Sequence, residues 1–409
     1  MRFFVHNLGC KVNRVESDRI TADLISRGAT SAPIQQARVV VINTCTVTAE
    51  ADRKARKAVR QALTTGDDPV VIVTGCATVI APEMFTSLGE KVLVIADKQA
   101  ATQIAAKYLG CDDGICDTPR RTGAGFPTRM AVKIQDGCDN RCSYCIVATA
   151  RGPARSVVAT DILTEVKAAQ ESGVHEIVLT GINLGRYDDS GLNLSGLLDL
   201  LCRSTVGLRF RLSSIEPPDI DSDLIDQIAT GGERICAHLH LPLQSGSDTI
   251  LARMNRAYDS AFYQELTERL RSNLPRIALT TDVIVGFPGE SEAEFEQSLQ
   301  FCERIGFSKM HIFRYSPRAG TPAATMANQI EAAEKTRRAQ MFNDLAIRMR
   351  QQDAIARIGT IETVLIEKRG FGMSESYHRV QVPIRSEAGD VLRMQFCAYN
   401  DNLMTGRVL

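Results

Sequence analysis

AVKIQDGCDNRCSYCIVATARG, residues 131–152, is the stretch on which the reading of the fold turns. Its opening residues, Ala131 to Gln135, read as a β-strand, and Cys138, Cys142 and Cys145 follow at once in a CxxxCxxC spacing. Three thiolates on one loop just past a strand end are a metal-binding arrangement. Cysteine thiolates are the usual ligands of iron-sulfur clusters, and a 4Fe-4S cube given three of them keeps one iron open for a further ligand. The alternative is zinc, but structural zinc closes its tetrahedron with four protein ligands, and no fourth Cys or His stands nearby in the sequence.

Downstream, strands are predicted at Glu176 to Thr180, Leu208 to Ser213, Ala237 to Leu241, Ile277 to Val285 and Lys309 to Phe313, with helical patterns between them. With the first strand this makes six βα units, which predicts an open, partial (β/α)6 version of the eight-stranded barrel, carrying its chemistry on loops past the strand C-termini. A helical stretch follows from Glu331 to about Arg357. The remainder, with runs such as TIETVLIEK and YHRVQVPI, alternates without helical period and predicts a small antiparallel β-barrel.

Upstream, Arg2 to His6, Arg38 to Asn43, Pro69 to Thr74 and Lys91 to Ala96 read as strands, and near-continuous apolar runs such as RVVVIN and PVVIVT predict a parallel sheet covered on both faces. The fold class is therefore α/β, with an N-terminal domain over 1–118, a Pro/Gly/Thr-rich linker over 119–128, a central domain over 129–352 and a barrel over 353–409. Cys10, Cys45 and Cys76 each fall just beyond a strand of the first domain. Loops past the strand ends of an open parallel sheet line one crevice, so the three can meet there; equally, free cysteines are often simply buried. Cys111, Cys116, Cys202, Cys236, Cys302 and Cys397 lack ligand spacing and read as structural.

CxxxCxxC with an aromatic, Tyr144, before the last cysteine resembles the signature loop of the radical S-adenosylmethionine superfamily. The order GCKVN, NTCxVTxxADRKAR, VTGCA, then that loop, then a small terminal barrel, is similar to the methylthiotransferase family across nearly the whole chain. The resemblance implies two 4Fe-4S clusters, one held by Cys138, Cys142 and Cys145 and an auxiliary one by Cys10, Cys45 and Cys76. It also implies S-adenosylmethionine contacts at Tyr144, Thr180, Gly181, Asn183, Ser214, Glu216 and Gly286. No catalytic residue beyond the cluster ligands follows from it. GCKVN and ADRKARKAVR resemble the branch acting on N6-threonylcarbamoyladenosine at position 37 of tRNA; sister branches act on isopentenyladenosine or a ribosomal protein aspartate. IVATARG after Cys145 departs from the family's more familiar IIPYARG. From another class, an iron-sulfur redox sensor that binds RNA without turnover is the remaining alternative.

The sequence has 409 residues and equal numbers of basic and acidic side chains, 48 each, so net charge points to no polyanionic partner and any nucleic-acid surface is local. Arg53, Lys54, Arg56, Lys57 and Arg60 cluster soon after Cys45, as either a phosphate guide or a solvated helix face. Resemblance of the last domain to TRAM modules makes Lys368, Arg369, His378 and Arg379 further RNA-binding candidates. No signal peptide or membrane-spanning run is evident, so the expected setting is cytoplasmic, with tRNA, a low-potential electron donor such as a flavodoxin or ferredoxin, and a sulfur source as partners.

Overall fold

The computed structural model describes residues 1–66, 68–111 and 128–409. The expected linker, apart from Thr128, and Cys116 lie outside the described residues. The first sheet is parallel, in the order β2-β1-β3-β4-β5, with β1 Arg2–Leu8, β2 Thr30–Ser31, β3 Val39–Thr44, β4 Val70–Gly75 and β5 Val92–Val94. All six residues of β3 are buried, as RVVVIN predicted. Alternation along that strand sends Val40 and Ile42 toward the helix Ala49–Thr64 and Val39 and Val41 toward the helices Lys11–Ser26 and Lys98–Leu109.

Six parallel strands follow in the centre: β6 Arg129–Lys133, β9 Glu176–Thr180, β12 Arg209–Leu212, β13 His238–His240, β14 Ala278–Val285 and β15 Lys309–Arg314. Two short antiparallel pairs interrupt the count, β7 Gln135–Asp136 with β8 Arg155–Ser156, and β10 Asp188–Asp189 with β11 Leu192–Asn193. The triplets β6-β9-β12 and β13-β14-β15 are joined by parallel bridges at Phe210↔Ile235 and Ser214↔His240, so the six strands run side by side in chain order. No pairing joins β6 to β15 among the described residues, and the barrel stays open there, as predicted. The helix Lys11–Ser26 lies against β6, with Arg19 paired to Glu165 at 2.8 Å and Lys133 to Glu16 at 3.3 Å. The N-terminal domain thus leans on the open side.

The helix Ala332–Ala356 buries Phe342, Leu345 and Met349 in the central core and leads into the last barrel. That barrel is closed by β16 Ile361–Lys368, β17 Phe371–Ser374, β18 Arg379–Gln381, β19 Val391–Asn400 and β20 Leu403–Val408. The expected antiparallel pattern holds at four pairings; the β18–β20 seam is a parallel bridge at Val380↔Met404. Odd strand number forces this, because a closed ring of five strands cannot alternate direction throughout.

A buried ionic knot fastens this barrel to the centre. Glu176 accepts from Arg209 Nε at 2.6 Å and Arg211 Nε at 2.9 Å, and the same guanidiniums donate onward to Thr363 O (3.1 Å), Glu375 O (2.6 Å) and Ser374 O (3.2 Å). Burial pushes the Glu176 carboxyl up, but Arg211 and Arg209 together outweigh it and hold it well below the usual range. Its folded pKa lies below the unfolded value of about 4.3, so the stabilisation is present above that value and is lost as pH falls. Glu176→Gln is expected to lower the free energy of urea unfolding at neutral pH by about 3–5 kcal/mol, since it removes the carboxylate shared by two buried guanidiniums. The gap to wild type should narrow as unfolding is repeated from about pH 5 down to about pH 3. A pH-independent gap would mean that Glu176 acts by shape alone.

Candidate functional site

The strand ends bring the scattered cysteines together in two groups. Leu8, Thr44 and Gly75 are in register across β1, β3 and β4, so Cys10, Cys45 and Cys76 emerge at one rim of the sheet. At Gly75 the backbone φ is +99° and a Cβ would strike the Thr44 backbone, so the turn into Cys76 requires glycine. Gly137, φ +71°, does the same before Cys138, where a side chain would collide with Pro153. Cys10 Sγ donates to Asn13 Oδ1 at 3.2 Å, and Asn13 Nδ2 donates to Asn43 Oδ1 (3.1 Å) and Thr44 O (3.0 Å).

The thiols of each group feel one another. Burial foremost, with Cys10 and Cys76 adding to it, pushes the Cys45 thiol up to about 11. Burial foremost, with Cys142 and Cys138 adding to it, pushes Cys145 up to about 12. Metal binding must therefore displace these protons. Among the described residues, no three His, Cys, Asp or Glu side chains converge tightly enough to hold one metal ion. Each group offers three thiols, one fewer than the four protein ligands that close a structural zinc site.

Two arginines that motif reading did not single out supply positive charge to these sulfurs. Arg256 Nη1 donates to Cys142 Sγ at 3.0 Å, while its other nitrogen pairs with Glu216 and with the Tyr258 hydroxyl at 2.9 Å. Arg151 ends the short helix after Cys145 and crosses into the N-terminal domain. Its nitrogens reach Asp136 Oδ1 at 2.9 Å, Glu16 Oε1 at 3.0 Å and Asn13 Oδ1 at 3.0 Å. Burial raises the Cys76 thiol on balance, and Arg151 pulls against it. Arg318 lies beyond β15 and bonds Asp52 (2.6 Å) and Thr46 (2.6 Å), clasping the Cys45 loop. Only Arg151 carried a sequence signal, the ATARG that closes the cysteine loop.

Between the two groups lies a cavity of about 160 Å³ lined by Val47 and Thr48 from the Cys45 loop, Tyr144 and Cys145 from the other, and Asp282 and Phe313 from β14 and β15. The other expected cofactor contacts gather on the same strand ends. Thr180 ends β9, and Gly181 abuts Gln135, whose Oε1 accepts from Ile182 N and Asn183 N, both at 2.9 Å. Ser214 bridges to His240, and Glu216 lines a second hollow beside Cys142 and Arg256. Gly286 N donates to Glu290 Oε2 at 2.6 Å. Asn183 differs from the others: its amide is spent on Asp219 (2.6 Å), Gly185 N (3.2 Å) and Glu216 N (3.2 Å), which makes it a positioning residue.

The chain matches the Radical SAM superfamily over residues 132–302 and the Uncharacterized protein family UPF0004 over residues 2–96. It is 36% identical over 383 residues to the "Threonylcarbamoyladenosine tRNA methylthiotransferase MtaB" of Chlamydia pneumoniae, covering 92% of this chain and 90% of that protein. This chain belongs to the radical S-adenosylmethionine methylthiotransferases. Among other methylthiotransferases, it is 37% identical over 358 residues to the protein of the same name from Bacillus subtilis (81% and 77% covered). It is 32% identical over 433 residues to the "tRNA-2-methylthio-N(6)-dimethylallyladenosine synthase" of Cereibacter sphaeroides (100% and 98% covered). In fold it is similar to the radical S-adenosylmethionine methyltransferase TsrM from Kitasatospora setae, at a TM-score of 0.58, 13% identity, and 79% and 77% coverage. Membership in this superfamily brings a 4Fe-4S cluster and S-adenosylmethionine with it.

Of the expected RNA contacts, Arg53, Arg56, Lys57 and Arg60 are all exposed on the helix Ala49–Thr64, and Arg53 pairs with Glu50 at 2.6 Å. Lys368, Arg369 and Arg379 are exposed on the terminal barrel, with Lys368 and Arg379 flanking the Phe371 ring. His378 is a correction: it is 1% exposed and its Nε2 bonds Asp353 Oδ2 at 2.7 Å, so it anchors the barrel to the long helix and is not available to RNA. No helix among the described residues is long and apolar enough to cross a membrane.

Because Arg151→Met removes a buried guanidinium shared by Glu16 and Asp136 and leaves Lys133 as their one remaining common cation, it is expected to cost about 3 kcal/mol in urea unfolding. Arg155→Met, which removes an exposed partner of Asp136 (3.4 Å), is expected to cost under about 1 kcal/mol. Equal costs would show that the guanidinium of Arg151 has no special hold on the domain junction.

Proposed function

We propose that this enzyme installs a methylthio group at C2 of N6-threonylcarbamoyladenosine at position 37 of tRNA. The observation that carries the reading is the cavity walled jointly by the Cys45 loop and the Cys145 loop. A sulfur donor on one side and a radical source on the other would share one reaction space there. Cys138, Cys142 and Cys145 would hold the first 4Fe-4S cluster and Cys10, Cys45 and Cys76 the auxiliary one; the first, when bound, supplies reductive cleavage of S-adenosylmethionine and the second a seat for the sulfur.

The chain's own residues do the rest. Arg256 places a permanent positive charge on Cys142 and fixes Glu216 beside it, so the anionic sulfurs are compensated without solvent. Tyr144 and Phe313 wall the cavity, while Asp282, paired with His240 at 3.3 Å, presents an acceptor toward it. Thr180, Gly181, Ser214, Glu216 and Gly286 would meet S-adenosylmethionine along the strand ends, with Asn183 holding that loop in place. Arg56, Lys57 and Arg60, exposed on the helix that starts just past Cys45, would steer the RNA backbone, with Lys368, Arg369 and Arg379 as a second contact. A base splayed from the anticodon loop is reachable in this way. Turnover would also draw on a low-potential electron donor, such as a flavodoxin or ferredoxin, and on a sulfur source.

Deleting the gene is expected to remove 2-methylthio-N6-threonylcarbamoyladenosine from total tRNA nucleosides and to build up its unthiolated precursor, read by mass spectrometry. Loss of the 2-methylthio isopentenyladenosine signal in its place would assign the enzyme to the dimethylallyladenosine substrate of the Cereibacter sphaeroides relative. Cys45→Ala, reconstituted anaerobically, is expected to keep reductive cleavage of S-adenosylmethionine while losing methylthiolation by about 100-fold or more, as removal of a group acting in the bond-forming step does. Retained methylthiolation would remove Cys45 from sulfur delivery.

A further inference from the structure

Below the cavity shared by the cysteine loops, the lumen of the central barrel holds a second hollow of about 300 Å³, at the small end of ligand pockets. Its wall combines Lys11 from the N-terminal domain, Lys309 and His311 from β15, His238 from β13 and Thr280 from β14, over a floor made by Tyr377 of the terminal barrel. No acidic side chain is among the lining residues. Lys11 enters through the open side of the barrel and stands 5.8 Å from the Tyr377 ring centroid. Tyr377 itself is held at φ +65°, a left-handed conformation that a bulky residue adopts only under constraint. Arg350 fixes its carbonyl at 2.5 Å and Arg211 lies 4.0 Å over its ring.

Counter-charge borders this hollow at Asp282, which pairs at 3.3 Å with the lining residue His240 and faces the cavity above. Lys11 and Lys309 each point into the hollow without a carboxylate partner among the described residues. Burial first, and then Arg350 and Lys11, depress Lys309, while burial, Arg211 and Lys11 hold His238 well below its ordinary value. His238 Nδ1 is buried with no hydrogen-bond partner, and the residue is 3% exposed. Both lysines are solvent-accessible, and an anion entering here would meet two ammonium groups with no carboxylate on the wall to compete, whereas an apolar substituent would gain no such contact.

The two cavities are stacked on the same strand faces. Along β15, Lys309 and His311 line the lower one and Phe313 the upper; along β14, Thr280 lines the lower and Asp282 the upper. Two residues of strand separate the levels, about 6.6 Å. That is the reach of a short acyl chain. We infer that the barrel lumen is a carboxylate subsite in which Lys11 and Lys309 bind the free carboxylate of the N6 substituent while the base reacts in the cavity above. The inference rests on the proposed threonylcarbamoyl substrate and makes the lumen the element that separates it from an uncharged, isoprenoid-bearing base.

The test is equilibrium binding of labelled anticodon stem-loops to the cluster-loaded enzyme, by fluorescence anisotropy, with three RNAs: N6-threonylcarbamoyladenosine, its neutral carboxamide analogue, and unmodified adenosine. Wild type is expected to favour the acid over the amide by about 10-fold or more, the yield of a charge-assisted contact. Lys11→Met and Lys309→Met, from different domains, should each erase most of that preference and leave affinity for unmodified adenosine unchanged. Because Lys11 adjoins Cys10, iron content is measured in both variants, and Lys309→Met keeps the result interpretable if Lys11→Met loses its cluster. An acid-to-amide ratio near one in wild type, or an undiminished ratio in Lys309→Met, overturns the subsite. Failure of the substrate reading looks different: wild type would then leave the threonylcarbamoyl stem-loop unmethylthiolated during turnover, whatever its binding ratio.

Discussion

A single buried guanidinium holds the two cysteine groups at a set distance. Arg151 is covalently six residues from Cys145, yet it ends among Asp136, Glu16 and Asn13. Asp136 begins the cysteine loop of the central barrel. Glu16 and Asn13 belong to the helix that Cys10 starts. Asn13 passes the constraint on to Asn43 and Thr44, the strand end that carries Cys45. One planar fork therefore couples the starting points of both loops, and a planar group with fixed donor directions does so with less play than a flexible ammonium. Charge on Glu16 is shared with Lys133 (3.3 Å) and Lys98 (3.5 Å), which keeps the junction compensated although it is buried.

A second consequence of the same economy is electrostatic. Three thiolates brought together repel one another, and burial worsens this by raising the thiols of Cys45, Cys138 and Cys145. Each group has one arginine: Arg151 acts on Cys76 and Arg256 donates to Cys142. Arginine stays charged under all conditions met by a folded protein, so the compensation does not fade with pH. Glu216 and Asp136 in turn prevent these cations from being left unpaired when no anionic group is bound.

What was legible in the sequence follows from periodicity and local spacing. Continuous apolar runs such as RVVVIN report a strand covered on both faces, and β3 is buried throughout; alternation of six βα units reports an open barrel, and its strands lie in chain order. Cysteines placed just past strand ends were also legible, because a parallel sheet gathers such positions at one rim. Tertiary partnerships were not. Arg256 stands in the unremarkable stretch MNRAY, 114 residues from the sulfur it touches, and nothing local distinguishes it from a surface arginine. His378 misled for the converse reason: a histidine among basic residues looks like an RNA contact, while its partner Asp353 sits at the end of a helix read as a separate element. Asn183 shows the intermediate case, correctly placed on the loop but with its amide turned to the protein's own backbone. The parallel β18–β20 seam follows from closing five strands, a topological fact that no pairwise pattern in the sequence carries.

The floor of the barrel lumen, Tyr377, belongs to the last barrel, and one of its side walls, Lys11, to the first domain. The chamber is thus a property of the completed chain. A ribosome that has released only the first two domains has made both cysteine groups and the walls of the cavity beside their loops, but not the floor of the lumen below. Exchange of the terminal barrel between relatives, harmless if that domain were merely a handle for RNA, would replace the bottom of the vessel as well.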